Sequence, residues 1–226
     1  ESEGAIDSFR VVAGLYAESV QLITMDPEIK SVADLAGKSV SIGAPGSGVY
    51  FNAVDVLGAA GLTEADIQPQ YQSFADSTDA LKNGQIDAAF IVAGPPTPAI
   101  TELCTTNNAY LVPIDGEIAD KLMADCDFYT AFTIPAETYK GQTEDVTTVT
   151  VKATLIVSAA ASDDDVYKLT AAIFDNIDAI TAEHGKGDDE FHKGKVHLIA
   201  DAPERRLHRI RHLRREGIHH RGIARM

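Results

Sequence analysis

Residues 39–61 read SVSIGAPGSGVYFNAVDVLGAAG. Val40 and Ile42 make the apolar end of a strand. Gly43, Pro45, Gly46 and Gly48 make a turn. Phe51, Val54 and Leu57 then recur at helical spacing before Gly58 and Gly61. The stretch predicts a buried strand, a glycine-rich turn and an amphipathic helix. Such a turn aims several unbonded backbone N–H groups, and the positive end of a helix dipole, at one point in space. A small anion or carboxylate belongs at that point, taken by the N–H groups of residues 47–50 with help from the Ser47 hydroxyl. No phosphate fingerprint is present. A P-loop needs Lys and then Ser or Thr after its last glycine, where Val49 and Tyr50 stand, and the dinucleotide pattern needs a glycine where Phe51 stands.

The surrounding sequence repeats the same rhythm. Upstream, residues 10–16 and 20–24 (RVVAGLY, VQLIT) predict two short strands about a kink at Ala17, Glu18 and Ser19. Residues 29–35 predict a helical turn ending at Gly37. Downstream come a capped turn at 62–67, a short strand at 71–74 and a helix at 79–83 stopped by Gly84. Residues 86–92 (IDAAFIV) are nearly all apolar, as in a strand covered on both faces. They run into Gly94, Pro95, Pro96, Thr97 and Pro98, where Thr97 fits an N-cap and Pro98 the first helical position. Strands alternating with helices in this way predict βαβ units and an open, mostly parallel sheet. Ligands bind beyond the carboxyl ends of such strands, where both glycine turns fall.

Past the strand predicted at 110–114 the rhythm changes. Residues 118–123 predict a short helix. Residues 128–134 and 146–158 are β-rich, the latter alternating Val149, Val151, Ala153 and Leu155 with polar residues. Ser162 caps a helix whose apolar face is Val166, Leu169, Ile173, Ile177 and Ile180. This part predicts a second lobe, to which residues 10–24 also belong.

Charge and chemistry narrow the function. The net charge is −15, yet residues 201–226 hold eight Arg against three acids, a net of +5, so the remainder carries −20. A body that acidic excludes nucleic acid and anionic membrane surfaces as partners, and no apolar run is long enough to span a bilayer. The first residues lack the basic end and apolar core of a signal peptide. Cys104 and Cys126 are compatible with one disulfide or with two buried thiols. All seven His lie at or after His184, so Ser47 has no base near it in sequence. Asp188, Asp189, Glu190, His192 and His197 read as a solvated loop rather than a metal site. No metal or cofactor is expected, and the thinness of catalytic machinery favours binding over catalysis. Tyr16, Tyr50, Tyr71 and Tyr129 are the aromatics near the predicted crevice or lobe crossings, and Asn52 lies one turn inside the helix after GAPGSG.

These segments resemble one family in order and spacing. The carriers are LYAESVQLIT, IKSVADLAGKSVSIGAPGSG, ALKNGQIDAAFIVAGPPTPAI and FTIPAETYKGQTEDVTTVTVKATLIV, over roughly residues 10–182. The family is the TAXI class of solute-binding proteins of tripartite ATP-independent periplasmic (TRAP) transporters. The resemblance implies an α/β, type II periplasmic-binding-protein fold: two lobes with open mixed sheets that close on a glutamate-like amino acid or other small carboxylate. Lobe boundaries follow at 1–28 with 115–203 for the first, 29–114 for the second, and 204–226 for an Arg/His-rich tail unlike the family's usual ending. Family members carry a longer N-terminal portion with a signal peptide and a glycine-rich turn, so the first lobe is expected to be incomplete and ligand binding weak or absent. The resemblance makes Pro45, Gly46, Ser47 and Gly48 site candidates, with Val49, Tyr50 and Asn52 after them. Gly94 and Pro95 form a second rank, and Tyr16 joins from the upstream strand. The implied protein is a periplasmic, monomeric, non-enzymatic receptor that delivers its solute to TRAP membrane subunits. Two rivals are a hydrolase or transferase using Ser47, and an acidic surface antigen acting through the basic tail.

Overall fold

The computed structural model describes residues 7–177, 179–180 and 197–198. The chain divides into two compact units, Ala17–Val151 and Glu1–Tyr16 with Lys152–Met226. The boundaries expected at 28/29 and 114/115 both fall inside the larger unit. The 204–226 tail and the acidic-histidine loop at 188–192 lie outside the described residues.

The strands are β1 (Phe9–Thr24), β2 (Ser39–Ser41), β3 (Gln68–Gln70), β4 (Ala88–Ala93), β5 (Tyr110–Val112), β6 (Thr130–Ile134), β7 (Val146–Ser158) and β8 (His197–Leu198). The helices are α1 (Gly48–Ala59), α2 (Phe74–Lys82), α3 (Pro98–Thr106), α4 (Gly116–Asp125) and α5 (Asp163–Asp175). Strand order is β3-β2-β4-β1-β7-β6, with β5 and β8 also paired to β1. The sheet is open and mixed, as the resemblance implies; the mostly parallel reading of the strand rhythm is corrected. The β3-β2-β4 part is parallel; β1 pairs antiparallel with β4 and β5, and β6 with β7. Crossovers through helices make the parallel part, and β1, which precedes them in the chain, enters the sheet in the opposite sense.

In the larger unit both faces of the sheet are covered, which is why β4 is apolar throughout. Val20 and Leu22 of β1, Val40 and Ile42, and Phe90 pack with Val56 and Leu57 of α1 and Leu122 of α4. On the other face Ile23, Ala89 and Ile91 pack with Leu81 of α2 and with Ile100 and Leu103 of α3. Each Val, Leu, Ile or Phe among them contributes about 1.5–3 kcal/mol on leaving water. Cys104 and Cys126 are free thiols, the first buried and the second half-buried, so the pair forms no disulfide here and only one of the two expected buried thiols is buried. Burial pushes the Cys104 thiol above its ordinary value.

Three local expectations are corrected. The kink at residues 17–19 is absent, and β1 is continuous. Glu18 and Ser19 are polar, but neither needs a turn backbone, and the ladder to β4 opens with Ser19 opposite Ala93. The strand expected at 71–74 is β3, earlier in the chain. The helix expected from residue 79 starts at Phe74, because the Ser73 hydroxyl accepts from the Asp76 N–H as its N-cap.

In the smaller unit Ala13 and Gly14 of β1 pair with Leu198 and His197. Arg10 donates to the Asp163 carboxylate at 3.0 Å and to the Ala161 carbonyl at 2.6 Å. The Ser162 hydroxyl caps α5 as expected, accepting from the Asp165 N–H.

Candidate functional site

Strands β2 and β4 are parallel, with Ser41 opposite Ala89, so residues 43–48 and 94–98 leave the sheet at the same edge. Strand β3 runs parallel to β2 and delivers Tyr71 and Gln72 there too. Strand β1 runs the other way, so its Ser19 arrives beside Ala93. All these residues belong to the larger unit. None of the segments 17–19, 43–52, 71–73 and 93–99 contains Lys, Arg or His. These segments themselves offer an anion N–H and O–H groups and no cationic side chain.

Local chemistry builds the first turn. Gly43 sits at φ +79, and a Cβ there would come within 2.9 Å of the Val49 Cβ and 3.2 Å of the Ser47 Oγ. Ser47 is the N-cap of α1, its hydroxyl accepting from the Tyr50 N–H at 3.2 Å. The Ser47 N–H donates to the Ala44 carbonyl at 3.0 Å. Of the four N–H groups expected to point at an anion, two are therefore spent inside the turn. Those of Gly48 and Val49 have no acceptor among the described residues. Pro45, Gly46 and Gly48 are exposed, and Ser47 and Val49 half-buried.

Tyr50 and Asn52 are committed elsewhere. The Tyr50 hydroxyl donates to the Glu64 carboxylate, which also accepts from Tyr71 at 2.9 Å. Both phenols are raised above their ordinary value, first by that hydrogen bond to Glu64. The Asn52 amide donates to the Tyr129 hydroxyl at 2.6 Å, and that hydroxyl donates to Asp55 at 2.9 Å. Burial pushes the Tyr129 phenol strongly upward. This trio ties α1 to the start of β6 within the core. Tyr16 belongs to the smaller unit.

The second turn rests on Thr97, which the sequence offered as an N-cap, and on Gln21 and Tyr139, which it did not single out. Thr97 caps α3 by position, with Pro98 at the first helical place, yet its hydroxyl caps nothing. It donates to the Gly94 carbonyl at 3.2 Å and accepts from the Gln21 amide at 2.9 Å. The Tyr139 hydroxyl donates to Gln21 Oε1 and accepts from the Thr97 N–H at 2.8 Å. Burial raises the Tyr139 phenol. Gly94 and Pro95 are half-buried above this network. The one available signal was parity: Gln21 is a polar residue amid an apolar strand buried on both faces. A groove of about 610 Å³ lined by residues 104–110, Lys140 and Gly141 lies at the far end of α3, away from both turns. No helix of the described residues is long and apolar enough to cross a membrane. No cluster of metal ligands occurs among them.

Residues 1–203 match the NMT1-like family. Among solved structures, similarity is found to the periplasmic aliphatic sulphonate binding protein SsuA of Escherichia coli, at 29% identity and TM-score 0.39, covering 46% of this chain and 33% of that one. The second substrate binding domain of Lactococcus lactis GlnP matches at 14% identity and TM-score 0.38, covering 86% and 64%. A putative L-cystine ABC transporter of Listeria monocytogenes matches at 17% identity and TM-score 0.45, covering 79% and 61%. The chain thus spans from a third to about two thirds of the length of these structures.

Proposed function

The chain belongs to the NMT1-like family, and on that premise we propose that it is an extracytoplasmic solute receptor. It binds a small carboxylate and presents it to the membrane subunits of a transporter, of the TRAP type by the resemblance of its GAPGSG, AGPPTPAI and IPAETYKGQ segments. The observation that carries the reading is the pair of unbonded N–H groups of Gly48 and Val49, behind the Ser47 cap at the carboxyl ends of parallel strands. Backbone dipoles in that arrangement favour an anion without a basic side chain. Among the described residues no base is hydrogen-bonded to the Ser47 hydroxyl, which only accepts from the Tyr50 N–H, and this supports capture and release rather than turnover.

Thermal unfolding with L-glutamate, succinate and ethanesulfonate tests this. A ligand at about a hundred times its Kd stabilises by about 2.7 kcal/mol, so one carboxylate is expected to raise Tm by several degrees. Flat unfolding curves across all three would overturn the reading, as would turnover of an ester substrate that is lost in Ser47→Ala.

A further inference from the structure

Ser19 is wholly buried, and its hydroxyl has no hydrogen-bond partner. Such a group costs about 1–3 kcal/mol. The other buried orphan among the described residues is Gln72 Oε1. It stands two residues past the end of β3, at the same edge of the sheet as Ser19.

Ser19 is placed against the second turn. It pairs with Ala93, the last residue of β4. A Cβ on Gly94 would lie 3.7 Å from the Ala17 carbonyl, so the start of this stretch of β1 touches the turn. Side chains alternate along a strand, so Ser19 shares its face with Gln21 and Ile23, the face that carries α3. There the Thr97 hydroxyl is occupied by Gln21 and Gly94. Helix α3 starts without a side-chain cap, and the N–H groups of Ala99 and Ile100 have no acceptor among the described residues. A buried donor without a partner therefore lies on the sheet face that carries a nine-residue helix whose own cap has been diverted.

We propose that Ser19 is a ligand-contacting residue, donating its hydroxyl hydrogen to an oxygen of the bound organic anion in a subsite completed by the Ala99 and Ile100 N–H groups. This rests on the solute-receptor reading. It adds a second anchor on the α3 side of the sheet to the one at Gly48 and Val49 on the α1 side. The hydroxyl is shut from solvent in this structure, so the solute reaches Ser19 only when the residues that cover it move aside.

The test is Ser19→Ala and Ser19→Cys in the full chain, with Kd by calorimetry for whichever of L-glutamate, succinate or ethanesulfonate raises the wild-type Tm most. Losing a hydrogen bond to a charged group is expected to weaken binding about ten- to a hundred-fold. The ligand-free Tm of Ser19→Ala is expected to be unchanged or higher, since an unpartnered hydroxyl adds nothing to the empty fold. Unchanged affinity in both variants overturns the proposal. So does a Ser19→Ala protein that unfolds earlier without ligand, because the hydroxyl would then serve the fold. If no probe shifts the wild type, the receptor reading itself fails, and the subsite with it.

Discussion

Gly43 shows how much one residue can carry at this edge. Its φ of +79 is strained for any side chain, and a Cβ would press on the Val49 Cβ at 2.9 Å. Gly43→Ala is therefore expected to lower stability by about 1–3 kcal/mol, read as a lower urea midpoint at unchanged slope. Ser47→Ala removes an N-cap and should cost about 1 kcal/mol. Tyr139 carries a larger load. Tyr139→Phe leaves the buried Gln21 Oε1 and the Thr97 N–H without their partner, at a cost of about 1–3 kcal/mol for each stranded group. Urea denaturation reads that loss, and no loss would show that the network does not hold the turn. The sequence made Gly43 legible because glycine is chosen for backbone reasons. It left Gln21 and Tyr139 obscure, because their meaning is a contact between residues 118 positions apart.

Among the elements, two short 3-10 turns, Val32–Leu35 and Glu64–Asp66, lead into the strands of the parallel core. In each, a carboxylate closes a capping box. Asp34 accepts from the Lys30 and Ser31 N–H groups and the Ser31 hydroxyl, and Asp66 from the Thr63 hydroxyl and N–H. These bonds hold both carboxyls below their ordinary value; backbone donation from Lys30 dominates for Asp34, and the Thr63 hydroxyl for Asp66. A carboxyl lowered on folding contributes stability that is complete above its unfolded value, about 3.9, and is lost as pH falls through the folded value. Tm is therefore expected to drop on acidification below about pH 4, and less steeply in Asp34→Ala/Asp66→Ala; parallel curves would refute the assignment. Helix α5 illustrates the limit of pattern reading. Its apolar stripe was visible in sequence, but α5 contains no buried residue, and Leu169 and Tyr167 stand exposed. Periodicity identifies a helix face without naming what covers it.

For the molecule as a whole, net charge and core set opposing terms. At −15 the chain repels itself, and salt screens that repulsion over a Debye length of about 10 Å at 0.1 M. Raising NaCl from about 10 to about 200 mM is expected to raise Tm by a few degrees; a fall would show that surface ion pairs such as Arg10–Asp163 outweigh the repulsion. Against it stands the apolar sandwich around β4, and Phe90→Ala, at a fully buried position, should cost about 3–5 kcal/mol. The alternation of strand and helix, the two glycine turns, the cap at Ser162 and the long strand β7 all follow from the chain's own order, because hydrophobic period and turn chemistry act between near neighbours. Strand direction did not follow. The antiparallel entry of β1 beside β4, and with it the arrival of Ser19 at the turns, depends on pairing across some 70 residues that no local pattern encodes. The same holds for the split of the edge's polar groups. Asn52, Tyr50 and Thr97 look equally available in sequence, and only the packed structure commits each to an internal partner and leaves Gly48, Val49 and Ser19 with donors to spare.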